Sequence, residues 1–266
     1  MKVRIKFQKY RAMKFIGHLD VMRYFQKAFR RAGFDNEYTK GFNPHQIMSF
    51  AAPLGVGLTS DGEYVDVELR SSDAPEIMID RLNAVMSEGF RVIGFKFLKE
   101  REENKKNITA MAQVSSADYL ISLKDGYDVP EAIDTQEKFS RVFREFYQAG
   151  EIVMDKKTKT SEKAVDIKPM ITLVAFCEEE YRELKGNPSL SEVPASVADV
   201  FENGIKVYLQ LDTGSSANLK PELVMEAFYR QIGAQFESYS WQVHRLEVYS
   251  REEKSGRLLP LEELER

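Results

Sequence analysis

Cysteine is almost missing: Cys177 is the only one in 266 residues. That excludes an intrachain disulfide, a cysteine zinc cluster and a cysteine-ligated iron–sulfur cluster held by this chain alone. Histidine is scarce as well. His18, His45 and His244 stand far apart, and neither H-E-x-x-H nor any other metal-ligand spacing occurs. No metal site and no cofactor of its own are expected. No apolar run reaches the roughly 18 residues that a membrane span needs. The stretch "MKVRIKFQKY" alternates charged and apolar residues and lacks the apolar centre of a secretory signal. The expectation is a cytoplasmic protein with no membrane partner. No G-x-S-x-G elbow is present, and "PLGVGLTSDG" fits neither the Walker A loop nor the dinucleotide fingerprint.

What is there suits a globular chain: 43% of residues are hydrophobic and 30% charged. The length allows one large domain or two ordinary ones. Charge is spread unevenly. Residues 1–50 hold eleven Lys or Arg and three acids, a net +8, so the other 216 residues carry −12. A basic pole of this kind points to an anionic partner. Its plain alternative is a solvated basic face.

Hydrophobic periodicity gives the order of elements. "VRIKFQKY" alternates Val3, Ile5 and Phe7 with Arg4, Lys6 and Gln8, which predicts a strand with one side in water. A helix follows from His18, with Leu19, Met22, Phe25, Phe29 and Ala32 as its inward stripe and Gly33 as its stop. "HQIMSF" and "EYVDVEL" read as strands, "APEIMIDRLNAVMSEGF" as a helix opening on Pro75, and "RVIGFKFL" as a strand. The order β-α-β-β-α-β is that of a ferredoxin-like sandwich. "KEREENKKN", residues 99–107, has no apolar residue and reads as a linker. The pattern then repeats: "SADYLISL", a helix in "TQEKFSRVFREFYQAG", "EIVMDKKT", "KAVDIKPMITLVAF", "GIKVYLQL", a helix in "KPELVMEAFYRQIG", and "YSWQVHRLEVY". The expected class is α+β, with two tandem ferredoxin-like sandwiches over residues 1–105 and 106–266. Extra material falls near 158–203.

Two stretches can carry chemistry. Arg23, Lys27, Arg30 and Arg31 share one side of the first helix, with Arg11 and Lys14 just ahead of it. Arginine suits bidentate phosphate contact, and such a row is the footprint of nucleic-acid binding. Asp20, in the first turn, complements the helix dipole. His18 sits where the helix begins and could transfer protons near neutral pH. The second stretch is "YTKGFNPHQ". Gly41 permits an unusual backbone angle and Asn43-Pro44 makes a turn, so Lys40, Asn43 and His45 surround backbone able to cradle a phosphate. Its plain alternative is a tight turn before an edge strand. Lys163, Asp166 and Lys168 read as the polar side of a strand, and Trp241 and Tyr239 as core in preference to a stacking platform.

"FIGHLDVMRYFQKAFRRAGF", "YTKGFNPHQIMSFAAPLGVG", "DIKPMI" and "NLKPELVMEAF" resemble a bacterial radical-SAM-linked domain family of unknown function. The resemblance covers nearly the whole chain and is strongest over residues 1–70. It implies motif positions at His18, Asp20, Arg30, Arg31, Gly41, Phe42, Asn43, Pro44 and His45. It also implies a radical-SAM protein as partner and proximity to ribosome- and RNA-related proteins. The C-x-x-x-C-x-x-C motif is absent, so the chain resembles the free-standing form. A more distant likeness is to the tandem ferredoxin-like CRISPR-associated RNA endonucleases. Their glycine-rich loop after the last helix of a repeat has no counterpart in "SEGFRVIG" or "RQIGAQFES".

The expected function is therefore an RNA-binding accessory protein, acting with a radical-SAM partner on translation-related RNA. Arg23, Lys27, Arg30, Arg31, Lys40 and Asn43 would hold the RNA. One alternative is metal-independent RNA processing or modification, with His18 and His45 catalytic. The other is a protein-interaction module whose basic helix docks on an acidic partner.

Overall fold

The computed structural model describes residues 1–99, 109–157, 162–186, 195–214, 217–252 and 254–264. The expected boundary at 105/106 lies outside them, as do all of the 99–107 linker but Lys99 and part of the 158–203 excursion. The described chain is α+β. Its elements are β1 (Lys2–Lys9), α1 (His18–Arg31), β2 (Asp35–Asn36), β3 (Met48–Phe50), β4 (Thr59–Ser71), α2 (Pro75–Asn83), β5 (Phe90–Leu98) and α3 (Ala110–Gln113). There follow β6 (Ser116–Leu123), α4 (Gln136–Gln148), β7 (Val153–Lys157), β8 (Glu162–Asp166), β9 (Ile171–Ala175), α5 (Glu178–Leu184), β10 (Lys206–Asp212), α6 (Pro221–Gln231), β11 (Trp241–Arg251) and β12 (Leu258–Pro260). Among the described residues no helix is long and apolar enough to cross a membrane.

The chain divides into two compact units. The first holds Met1–Ser116, Pro194–Ala198 and Arg245–Arg266; the second holds Ala117–Val193 and Asp199–His244. In the first unit the strand order is β5-β1-β4-β11, with β2 and β3 also on β4 and β12 on β11. β1 is antiparallel to β4 and β5, and β3 is antiparallel to β4.

Val3, Ile5 and Phe7 of β1 are buried with Val21, Phe25, Ala28 and Phe29 of α1 and with Met78 and Leu82 of α2. Phe25 is the hub: its ring lies 4.6 Å from Phe7, 5.5 Å from Phe90 and 5.7 Å from Phe50. Burying one such side chain is worth about 1.5–3 kcal/mol. The inward stripe of α1 differs from the sequence expectation at its start. It begins at Val21, and Leu19 is 61% exposed. Two residues before Val21 is roughly 200° away around the helix, which turns Leu19 to water.

Gly33 ends α1 at φ +69°, and a Cβ there would stand 2.9 Å from Arg81 Nη2. That guanidinium donates to the Ala32 and Gly33 carbonyls at 2.9 and 2.6 Å, so a cation from α2 covers the negative end of α1.

The polar side of β1 is not in water, contrary to the alternation reading. Arg4 and Gln8 are buried and Lys6 is half-buried. Arg4 Nε and Nη2 donate to Asp66 at 2.7 and 3.0 Å, and Nη1 donates to the Leu261 carbonyl at 2.8 Å. Lys6 Nζ donates to Glu247 at 2.6 Å and Glu262 at 2.5 Å. Burial works against the Lys6 charge, but those two carboxylates outweigh it and raise its pKa. Burial also raises Glu247. The sheet is therefore covered on both faces, and the second cover comes from residues distant in sequence.

In the second unit the order is β11-β6-β10-β9, and β10 is antiparallel to β9. Phe139, Phe143 and Phe146 of α4 meet Phe228 of α6 at 5.6, 4.8 and 5.6 Å. Strands β7 and β8 form a separate hairpin, so "KAVDIKPMITLVAF" is two strands divided at Lys168–Met170 rather than one extended run. Lys168-Pro169 forces the break: its short 3-10 turn is held by Lys168 N donating to Asp166 Oδ1 at 3.0 Å. Trp241 is buried as expected and donates to the Tyr229 hydroxyl at 3.1 Å. Tyr239 instead is 80% exposed, because it lies in the turn ahead of β11 rather than on the strand.

Candidate nucleic-acid interface

α1 turns two different sides outward and inward. Leu19, Arg23, Lys27 and Arg30 recur at i, i+4, i+8 and i+11 and so form one outward stripe. All four are exposed. Arg23 approaches Asp20 only at 3.4 Å, with both side chains about two-thirds exposed, an arrangement of little energetic weight. Among the described residues no side chain partners Lys27 or Arg30. Arg31 differs from its neighbours. It donates to the Val85 carbonyl at 3.0 Å and lies 6.0 Å from the Tyr24 ring, so it is partly spent on holding α1 to the end of α2.

The GFNPH loop is closed at its base. Tyr38 and Gln46 form an isolated bridge, and Thr39 N donates to the His45 carbonyl at 2.9 Å. The Thr39 hydroxyl accepts from His45 N at 3.1 Å and meets its Nδ1 at 3.1 Å, which orients the exposed imidazole. Gly41 sits at φ +123°, a conformation that side chains resist, and this turns the tip outward. Lys40, Phe42, Asn43 and Pro44 are exposed there, and Phe42 is fully so. Gln46 Nε2 donates to the Gln26 carbonyl at 3.3 Å. The loop is thus tied to the middle of α1, beside Lys27.

His18 has other neighbours. It lines a small hollow of about 10 Å³ with Phe7, Lys9, Val21, Phe50, Pro53, Leu54 and Glu63. That volume is near the minimum for one water. Its ring meets Phe50 edge-on at 5.2 Å. Lys9 is 2% exposed and donates to the Ile16 carbonyl at 3.3 Å. Glu63 is paired with Arg245, whose Nε and Nη2 reach its oxygens at 2.8 and 2.5 Å. Burial, and then the Lys9 charge, lower the pKa of His18. Burial likewise lowers that of Lys9, against the attraction of Glu63.

The hollow therefore gathers His18, Lys9 and Glu63. His45, Arg23, Lys27, Arg30, Arg31, Lys40 and Asn43 are not among its lining. Sequence reasoning missed Lys9 and Glu63, though a signal existed. Lys9 shares the parity of Val3, Ile5 and Phe7, and Glu63 stands across from Phe7 in the ladder, so both belong to the inner face. It also missed exposed apolar residues around the stripe. Phe15, just ahead of α1, is 67% exposed, and Lys14 Nζ lies 5.6 Å from its ring.

Among known proteins, the family described as uncharacterized proteins conserved in bacteria, DUF2344, matches residues 2–221. No curated protein matches the sequence. One solved structure, the crystal structure of a Cbf5-Nop10-Gar1 complex, is similar at 10% identity and a TM-score of 0.44. The similarity covers 92% of this chain and 48% of that one, so this chain spans about half the length of the protein it resembles.

Proposed function

The chain belongs to this uncharacterized bacterial family, and from that premise we propose that it is an RNA-binding accessory protein. Arg23, Lys27 and Arg30 hold phosphates, and Lys40, Asn43 and His45 contact the backbone or one nucleotide. The observation that carries the reading is the α1 stripe. It is a row of exposed cations, two of them without a side-chain partner among the described residues, beside a loop that adds Lys40. A solvated, salt-bridged helix face alternates cations with acids, whereas Asp20 is the one acid within α1. Phosphate contact converts such a row into affinity through counterion release.

Two further elements complete the proposal. Both units order their strands as fourth, first and third β-elements of a β-α-β-β-α-β series, with a second element at the edge (β5-β1-β4 with β3, and β11-β6-β10-β9), which supports two tandem ferredoxin-like sandwiches. The H-L-D and G-F-N-P-H motifs support a radical-SAM protein as the partner that supplies chemistry on translation-related RNA.

The test is a titration of the purified chain with structured RNA at rising salt. Affinity should fall steeply, and the slope of log K against log salt should flatten by about 0.7–0.9 for each phosphate-bound cation removed. Absence of binding at low salt overturns the proposal. An RNA-cleaving role for His18 and His45 needs both imidazoles at one phosphate. His18 faces the hollow while Thr39 holds His45 in the exposed loop, so binding is the reading the geometry favours.

A further inference from the structure

We infer that the surface built by α1 and the GFNPH loop takes unpaired nucleotides, with Phe42 and Phe15 as stacking platforms, and discriminates against duplex RNA. This rests on the RNA-binding reading and adds the state of the RNA to it. Phosphate cations alone do not select single strands, since the duplex presents the denser backbone charge. Rings do. A base offers its face to an aromatic side chain only when it is free of its neighbours in a helix.

The rings are placed for that use. Phe42 is fully exposed at the tip of a loop whose base is joined to α1 at Gln26. Gly41 sits at φ +123° with open space where a Cβ would be, and the tip residues Lys40, Phe42, Asn43 and Pro44 are all exposed. A phenyl ring in that position gains nothing from burial, and a polar residue would serve the turn as well. Lys40 and Asn43 flank it, so a phosphate and a base can be met within four residues. At the amino end of the stripe, Phe15 is exposed under the Lys14 ammonium, and Leu19 adds an exposed apolar surface one turn before Arg23. Leu19 to Arg30 is about 16 Å along the helix. The charge around these apolar groups is positive, which fits a polyanion carrying flat apolar faces better than an apolar protein groove.

The test compares a single-stranded RNA oligonucleotide with the blunt duplex of the same sequence, by fluorescence anisotropy at fixed low salt. The single strand should bind at least ten-fold more tightly. Phe42→Ala should weaken single-strand binding about 5- to 150-fold, the range for loss of one base–ring stack, and leave duplex binding unchanged. Phe42→Tyr should restore it. Lys27→Gln should weaken both RNAs alike. A second readout uses Phe42→Trp, whose emission should be quenched at saturation with the single strand and not with the duplex. Equal affinity for the two RNAs, or single-strand affinity within two-fold of wild type in both Phe42→Ala and Phe15→Ala, overturns the inference and leaves RNA binding standing. If neither RNA binds, the inference and the RNA-binding reading both fall.

Discussion

The first fifty residues carry two populations of cations with opposite fates. Arg4 and Lys6 of β1 are drawn into the sheet and matched by Asp66, Glu247 and Glu262, and Lys9 is buried with them, donating to the Ile16 carbonyl near Glu63. Arg23, Lys27 and Arg30 of α1 are exposed and, among the described residues, share one loose side-chain contact, that of Arg23 with Asp20. Sequence composition counts them all as one basic pole. The structure divides them into charges committed to the fold and charges left available. Only the second group can answer to a partner, and the strength of a binding surface is set by those alone.

The largest effect should follow from breaking the committed set. Asp66→Ala strands the Arg4 guanidinium in the interior and should cost about 3–5 kcal/mol, seen as a lower urea midpoint. Arg23→Gln, Lys27→Gln and Arg30→Gln should each stay within about 0.5 kcal/mol in the same assay. Comparable losses in both groups would erase the distinction. The phenylalanines sharpen it in the same way. Phe25→Ala removes a hub ring and should cost about 3–5 kcal/mol, whereas Phe42→Ala should leave the thermal midpoint nearly unchanged.

A smaller effect concerns salt. The double variant Lys27→Gln, Arg30→Gln should flatten the salt dependence of RNA binding by about 1.4–1.8 in log–log slope, while Arg31→Gln should flatten it less, since that side chain also holds the Val85 carbonyl. The smallest concerns pH. Burial and Lys9 favour neutral His18 in the folded state, so its pKa there lies below the unfolded value. Its contribution to stability is complete above the unfolded value of about 6.5 and declines as pH falls from there through the folded pKa. Imidazole NMR should give a midpoint for His18 below the ordinary histidine value, and Lys9→Met should move it upward.

The order of elements was legible because hydrophobic periodicity is local. Phe25 and Phe29, Phe139 and Phe143, and Pro75 and Pro221 all fell where spacing and helix chemistry put them. Leu19 was misread because an apolar residue one turn ahead of a stripe fits the template as well as Val21 does. The polar side of β1 was misread because its partners lie up to 257 residues away, and alternation cannot tell water from a distant carboxylate. On the candidate surface, the cations of α1 and the loop were legible as residue types. Which of them are free, and that Phe15 and Phe42 stand outward, depended on the turn at Gly41 and on tertiary packing.

The clamp on β1 has a bearing on how the protein comes to be made. Lys6 leaves the ribosome 241 residues ahead of Glu247 and 256 ahead of Glu262, and Arg4 waits 257 residues for the Leu261 carbonyl. A nascent chain must therefore keep β1 provisional until residues 247–262 are translated. Early termination would leave an ammonium on a half-built sheet with no counter-charge, which marks such fragments for unfolding and disposal.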